Sequence, residues 1–437
     1  MNAGKYGTGK VGGRRMHWSE KIAKDIIKRS PDKEEYVCAA GISPSGSIHI
    51  GNFRDIATSY FVYKALIKQG KKVRLLFSWD EFDRFRKVPV NVKEVAPELE
   101  NEIGKPYVDV KDPYGCCSSY AEHFEKEFEA SLSRFGVKVD FRRQSENYRS
   151  GKYAKYVIQA VQKRREIFDI LDKFRQQVAT PEEREAYYPV SIYCPVCGKD
   201  ETTITSSSED GVTCEYTCKC GHKGTWDFSK DFNCKLAWKI DWPMRWMIEG
   251  VDFEPGGKDH ASPGGSYDTS KIIAKKIFGA QAPMFKGYEF VGIKGTTGKM
   301  SGSTGLNLTP DTLLKIYQPE MILWLYSKSE PNKAFDFCFD DEILRQYFEF
   351  DKMLKVYQAG KGKNYDYIEG IMHNCMIEGR ELYPVPMQQI VNFGSVVDFN
   401  ADMLETVFEK IGTPYKKEEF AERLELAKYW LEKCSPE

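Results

Sequence analysis

The chain reads Tyr36-Val37-Cys38-Ala39-Ala40-Gly41-Ile42-Ser43-Pro44-Ser45-Gly46-Ser47-Ile48-His49-Ile50-Gly51-Asn52 across the stretch that decides its fold. Residues 36–40 are a short apolar run suited to a buried parallel strand, and the run passes directly into a loop of glycine, serine and proline. From Gly51 onward the apolar residues Phe53, Ile56, Ala57, Tyr60, Phe61 and Ile67 recur at intervals of three and four, and Gly70 supplies a stop. The unit is strand, loop, helix. Such a loop presents free backbone N–H groups at a helix N-terminus, where the helix dipole favours a phosphate. Pro44, Ser45, Gly46, His49, Gly51 and Asn52 are the candidate phosphate contacts; the two glycines let the backbone come close, and His49 adds a neutral donor or a cation. Taken alone, the same loop is equally ordinary turn chemistry before a helix.

A second segment changes that balance. Lys299-Met300-Ser301-Gly302-Ser303 lies among Gly295, Gly298 and Gly305, a glycine-rich loop carrying a cation and hydroxyls. A carboxylate attacking the α-phosphate of ATP builds negative charge on phosphate oxygens and pyrophosphate, and a positioned lysine stabilises charge developing there. His49 and Lys299 are 299 − 49 = 250 residues apart, so only a fold that reassembles distant strand ends brings them to one nucleotide. The pairing resembles the class I aminoacyl-tRNA synthetases. It makes His49, Asn52, Lys299, Ser301 and Ser303 the candidate catalytic residues, with Met300 among the ATP contacts.

At 437 residues the chain is long enough for two or three domains with real cores. Its 64 basic and 64 acidic side chains give a net charge of +0, so a nucleic-acid partner has to be met by local patches. No signal-like N-terminus or membrane-length apolar run is present, which makes a cytoplasmic protein with no membrane association the expectation.

Val73-Arg74-Leu75-Leu76-Phe77 reads as the next strand and ends in Ser78-Trp79-Asp80-Glu81-Phe82-Asp83. Ligands of open α/β sheets bind outside the carboxyl ends of strands, so Asp80 and Asp83 are placed to meet a cationic group, Asp80 foremost. Helix capping or a salt bridge to Arg84 or Arg86 is the competing reading. Leu236 to Asp241 reads as another strand, Trp242 to Ile248 as a short helix and Val251 to Phe253 as a further strand. Gly256-Gly257-Lys258-Asp259-His260 then stands at a carboxyl end.

Five cysteines fall between residues 194 and 220. Cys194-Pro195-Val196-Cys197 followed by Cys218-Lys219-Cys220 has the spacing of a zinc ribbon, two tight turns aiming four thiolates at one Zn²⁺; Cys214 and His222 are reserve ligands. The intervening residues are polar and strand-like, so the metal is expected to stand in for a core that the module lacks. Asp112, Cys116, Cys117 and His123 form a second candidate Zn²⁺ site, with buried thiols as its alternative.

From residue 35 to 330 the resemblance narrows to the lysine-specific family of class I synthetases. It is carried by the loop above, Trp79-Asp80-Glu81-Phe82-Asp83-Arg84-Phe85-Arg86, Asp112-Pro113-Tyr114-Gly115, Gly256-Gly257-Lys258-Asp259-His260, Tyr288-Glu289 and the Lys299 segment. Cys117 departs from the histidine expected in that family's metal loop, and Gly302 from a lysine common in the class. The resemblance implies ATP- and Mg²⁺-dependent charging of tRNA(Lys) with lysine, and a lysine pocket drawn from Gly41, Ser43, Asp80, Trp238, Asp259, His260 and Tyr288. The fold it implies is α/β: an N-terminal extension (1–30), then a Rossmann-type catalytic core (31–330) with a zinc-bearing insertion at about 105–234. An all-α anticodon-binding domain (331–437) follows, and helical spacing at 319–326, 341–357, 367–378 and 418–434 agrees. The family continues for a further helical segment where this chain stops, so either the chain is cut there or its anticodon domain is reduced. A monomer is favoured, the oligomeric state being open. A class I synthetase for another amino acid, and a catalytically idle RNA-binding paralogue, are the alternatives.

Overall fold

A computed structural model describes residues 15–294 and 308–435. Strands β1 (Tyr36–Ile42), β2 (Val73–Trp79), β3 (Asp140–Arg143), β4 (Phe253–Gly257) and β5 (Met284–Tyr288) form one sheet in the order β5-β4-β1-β2-β3. All neighbours are parallel. The carboxyl ends therefore open along one edge, and the strand order reverses between β1 and β4, where such sheets leave a crevice.

β1 is buried on both faces, with alternate residues in different apolar clusters. Tyr36, Cys38, Ala40 and Ile42 pack on the side of α2 (Ile50–Lys68), while Val37 and Ala39 pack with Leu76, Trp242 and Trp246. This two-sided burial explains the unbroken apolar run. The segment expected as an N-terminal extension contains α1 (Trp18–Arg29), whose Ala23 and Ile26 are buried in the same core as α2.

Four expectations change. β3 pairs with β2 from inside the 105–234 span, and α3 (Tyr120–Arg134) packs Phe128 and Leu132 into the main core, so that span is not one continuous insertion. The cysteine-rich module is the later part, a three-stranded antiparallel sheet (Thr202–Ser207, Thr213–Cys218, Lys223–Asp227) above a pair formed by Val190–Ile192 and Cys234–Leu236. Nor does that module lack apolar packing: Ile204, Tyr216, Trp226 and Phe228 share a cluster with Phe82 and Tyr148. Alternation on a single sheet face supplies these residues, a signal diluted in the sequence by the polar residues between them.

Residues 236–241 are not a strand. Pairing with Val190–Ile192 ends at Leu236, and α4 (Trp238–Glu249) starts two residues later. The deciding feature is the i, i+4 spacing of Trp238, Trp242 and Trp246, which stack at centroid distances of 5.0 and 4.6 Å along one helix face. Pro243 sits inside α4 and cannot bond the carbonyl of Lys239. The hydroxyl of Ser270, on α5 (Ser266–Phe278), donates to that carbonyl at 3.1 Å and so gives it the partner that the proline cannot.

The region beyond residue 330 is not all-α: β7 (Phe335–Cys338) pairs in parallel with β6 (Val291–Lys294), because the aromatic alternation Phe335, Phe337 suits a half-buried edge. Helices follow from Glu342 onward among the described residues. The last, α6 (Lys417–Lys433), is pinned by buried Arg423, which donates to both oxygens of Asp351 at 2.7–2.8 Å and to the Val385 carbonyl at 2.7 Å. Among the described residues no helix is long and apolar enough to cross a membrane.

Candidate active site

A cavity of about 1010 Å³ opens at the carboxyl ends of β1, β2 and β4. Its lining brings together Gly41, Ser43, Asp80, Trp238, Asp259, His260 and Tyr288 from the expected amino-acid pocket, and Ser45, Gly46, His49, Gly51 and Asn52 from the expected phosphate loop. Pro44 is buried and not part of the lining. Lys299, Met300, Ser301 and Ser303 lie outside the described residues.

His49 is the N-cap of α2. Its Nδ1 accepts from the backbone N–H of Gly51 at 3.0 Å and of Asn52 at 3.3 Å, satisfying donors at the helix start. Nδ1 is therefore unprotonated, and the proton is carried on Nε2. Burial lowers the pKa of the ring, so of the two roles open to His49 the neutral donor is the one this geometry supports. Gly51 has a different purpose from that expected: a Cβ there would stand 2.9 Å from His49 Cε1, so the glycine makes room for the capping ring.

The opposite wall is a buried network of charges. Arg245 of α4 donates through one terminal nitrogen to Asp80 Oδ1 at 2.7 Å and to Ser78 Oγ at 2.6 Å, and its Nε is 3.0 Å from Asp241 Oδ2. Lys235 bridges Asp83 at 3.2 Å and Asp241 at 3.7 Å, and Ser43 Oγ donates to Asp83 Oδ2 at 3.1 Å. Asp80 is thus paired with Arg245, while Arg84 turns away to Asp200 at the base of the cysteine module, 2.8 Å away. Burial raises the Asp80 carboxyl to about 6 against the opposing pull of Arg245. Glu254 on β4 also lines the cavity; burial pushes it up to about 7, while Arg245 and an indole hydrogen bond from Trp246 at 2.8 Å pull it down. Asp55, raised by burial, accepts from the Gly41 N–H at 3.0 Å and pairs with the hydroxyl of Tyr288. Acidic groups thus outnumber cations along this wall, and the indole rings of Trp238 and Trp242 and the ring of His260 flank it, His260 lying 6.0 Å from Trp242 and 6.4 Å from Trp238. Such a wall accepts a cation with an aliphatic stem.

Sequence reasoning missed Arg245, Lys235, Glu254 and Asp55. The one local signal was Asp241 and Arg245 at i, i+4, visible only once the segment is read as a helix.

The two metal-ligand sets are each assembled. The Sγ atoms of Cys194, Cys197, Cys218 and Cys220 lie within 4.8 Å of one another, with Cys194–Cys220 at 3.7 Å and Cys197–Cys218 at 3.6 Å. Thiolates bound tetrahedrally at about 2.3 Å stand roughly 3.8 Å apart, whereas a disulfide needs about 2.05 Å, so the spacing fits a metal. Cys214 and His222 stand outside the set, His222 Nε2 lying 3.1 Å from the Tyr216 hydroxyl. Asp112, Cys116, Cys117 and His123 also converge: Cys116 Sγ is 3.2 Å from His123 Nδ1, and Asp112 Oδ1 is 3.3 Å from the same nitrogen. Asp112 additionally accepts from the backbone N–H groups of Cys116 and Cys117 at 2.8 and 2.7 Å, which folds the loop around it.

A family model described as tRNA synthetases class I (K) matches residues 16–377. The chain is 40% identical over 434 residues to a lysine–tRNA ligase of Thermococcus kodakarensis, covering 97% of this chain and 82% of that protein. It is 43% identical over 350 residues to a lysine–tRNA ligase of Pyrococcus furiosus, covering 79% of this chain and 66% of that protein. It is 36% identical over 430 residues to a lysine–tRNA ligase of Treponema pallidum, covering 95% and 79% respectively. Among solved structures, a putative arginyl-tRNA synthetase from Campylobacter jejuni matches with a TM-score of 0.39 at 12% identity, over 95% of this chain and 90% of that one, a likeness that carries no argument of its own.

Proposed function

The chain belongs to the lysine-specific class I tRNA synthetases, and we propose that it activates lysine with ATP and transfers it to the 3′ end of tRNA(Lys). The observation that carries this reading is the single cavity, with a capped helix N-terminus and its loop on one side and an acid-rich, indole-lined wall on the other. In the first step the lysine carboxylate attacks the α-phosphate of Mg²⁺-bound ATP, forming lysyl-adenylate and releasing pyrophosphate. In the second, a hydroxyl of the terminal adenosine attacks the acyl carbonyl and AMP departs.

The residues divide this work. The N–H groups of Gly46 and Ser47, in the part of the loop that lines the cavity, with the Nε2 proton of His49, receive phosphate oxygens. Asn52 lines the same side, and Lys299, Ser301 and Ser303 supply the charge and hydroxyls of the second motif. Gly41, Ser43, Asp259, His260 and Tyr288 shape the amino-acid side, Trp238 supplying a face for the aliphatic stem. Asp80 contributes to the attraction for an ammonium while already compensated by Arg245, so Glu254 and Asp55 share that role. Pyrophosphate exchange tested with each standard amino acid, with and without tRNA, is expected to respond to lysine. Exchange driven by a different amino acid would replace the substrate, and its complete absence from protein that binds tRNA would favour the idle paralogue.

We assign Zn²⁺ to both ligand sets, as a structural cross-link rather than a participant in the chemistry. Purified protein is expected to hold about two Zn²⁺ per chain, one for each four-ligand set. Cys197→Ser should release one ion and open the cysteine end of the module, while Trp226 and Phe228 keep its sheet attached through their shared cluster. Cys117→Ser should release the other. Elemental analysis decides: a native stoichiometry of one that survives Cys117→Ser removes the second site.

A further inference from the structure

Tyr120 is the first residue of α3 and has 0% of its surface exposed. Its ring packs against Phe85, Phe124 and Tyr107, at centroid distances of 5.1, 4.8 and 6.0 Å. Its hydroxyl leaves this apolar nest at one point, donating to the carbonyl oxygen of Ser45 at 2.7 Å. Ser45 lies in the middle of the loop between β1 and α2. The Ser45 N–H itself donates to the Ser43 carbonyl at 2.8 Å, and the far end of the loop is held by the Ile50 N–H on the Leu308 carbonyl at 2.9 Å. Tyr120 therefore braces a stretch, Ser45 to His49, that lines the cavity.

The same helical turn carries a metal ligand. His123 follows Tyr120 by three residues, about 4.5 Å along the axis, and belongs to the set completed by Asp112, Cys116 and Cys117. Ser119 caps the turn through the N–H of Glu122 at 3.1 Å, and Tyr120 N–H donates to the Val110 carbonyl at 2.8 Å. Asp112 Oδ1 and His123 Nδ1 already stand 3.3 Å apart, and a metal ion held by both would tie this turn to the Asp112 loop and with it the place of the tyrosine hydroxyl.

We propose that Tyr120 is a positioning residue for ATP, holding the Ser45 carbonyl so that the phosphate loop keeps its N–H groups aimed at the nucleotide, and that the metal at Asp112, Cys116, Cys117 and His123 acts on ATP binding through it. The proposal rests on the assignment of ATP to this loop, and is independent of which amino acid the cavity takes. Tyr120→Phe removes one oxygen and keeps the ring. The Ser45 carbonyl loses its partner, and the dissociation constant for ATP, measured by calorimetry, should rise about tenfold, with lysine binding unchanged within about twofold. The melting temperature in the absence of ligand should stay close to that of the native protein. Cys117→Ser should weaken ATP binding in the native background and add little in the Tyr120→Phe background, since both act through one hydroxyl. Unchanged ATP affinity in Tyr120→Phe overturns the proposal, as does an equal loss of ATP and lysine binding, which would mark general loosening. Additive effects of the two substitutions overturn its metal arm. Native protein that binds ATP and charges another amino acid would instead refute the lysine assignment and leave Tyr120 in place.

Discussion

Replacing Arg245 with methionine is expected to destabilise the folded chain by about 3–5 kcal/mol, the cost of leaving buried partners of an ion pair without their counter-charge. Asp80 and Asp241 both face this guanidinium, at 2.7 and 3.0 Å, and both side chains are buried. Methionine keeps most of the length and apolar volume, so the loss reports charge and hydrogen bonding more than packing. The deficit should also depend on pH. Burial already raises Asp80 to about 6 in the folded chain, and removing the cation raises it further. A carboxyl whose folded pKa lies above its unfolded value favours folding at low pH, and that contribution is lost as pH rises through the folded pKa. The variant should therefore recover part of its deficit between pH 7 and pH 5, whereas a packing defect would not. Urea denaturation at the two pH values measures both quantities; a loss below about 1 kcal/mol at pH 7 would show that the network is hydrated rather than buried.

Lys299→Ala is expected to raise the barrier to adenylate formation by about 2–4 kcal/mol, the range for a group that meets charge developing in the transition state. Pyrophosphate gains charge as it separates from the α-phosphate, and a lysine ammonium interacts more strongly with that state than with bound ATP. Single-turnover measurements should show a slower chemical step with ATP affinity changed much less. A raised Michaelis constant for ATP with an unaltered chemical step would assign Lys299 to ground-state binding instead.

The segments around the cavity differ in how far the structure adds to the sequence. For residues 36–70 the local pattern is enough: an apolar run, a small-residue loop and a helical repeat map onto β1, the loop and α2 with boundaries close to those expected. The cysteine spacing is equally legible within each short turn, whereas the 3.6–3.7 Å distances join one turn to the other across 26 and 21 residues and come from the strands between them. The segment from 236 to 241 shows the opposite case. Aromatic residues suit strands and helices alike, so composition pointed to a strand, and only the three-tryptophan stack against β1 and β2 made a helix the lower-energy choice.

By itself the sequence determined the features built from neighbours along the chain: the first strand–loop–helix unit, the acidic end of the second strand, the two ligand sets and the family. Tertiary structure alone decided the charge state of the site. Asp80 meets Arg245 across 165 residues, Lys235 joins Asp83 to Asp241, Asp55 meets Tyr288, and Tyr120 reaches Ser45 across 75. The reason is physical: the energy of a charge or a buried hydroxyl depends on solvent exclusion and on partners within a few ångströms, and both come from segments that approach one another only when the sheet has formed.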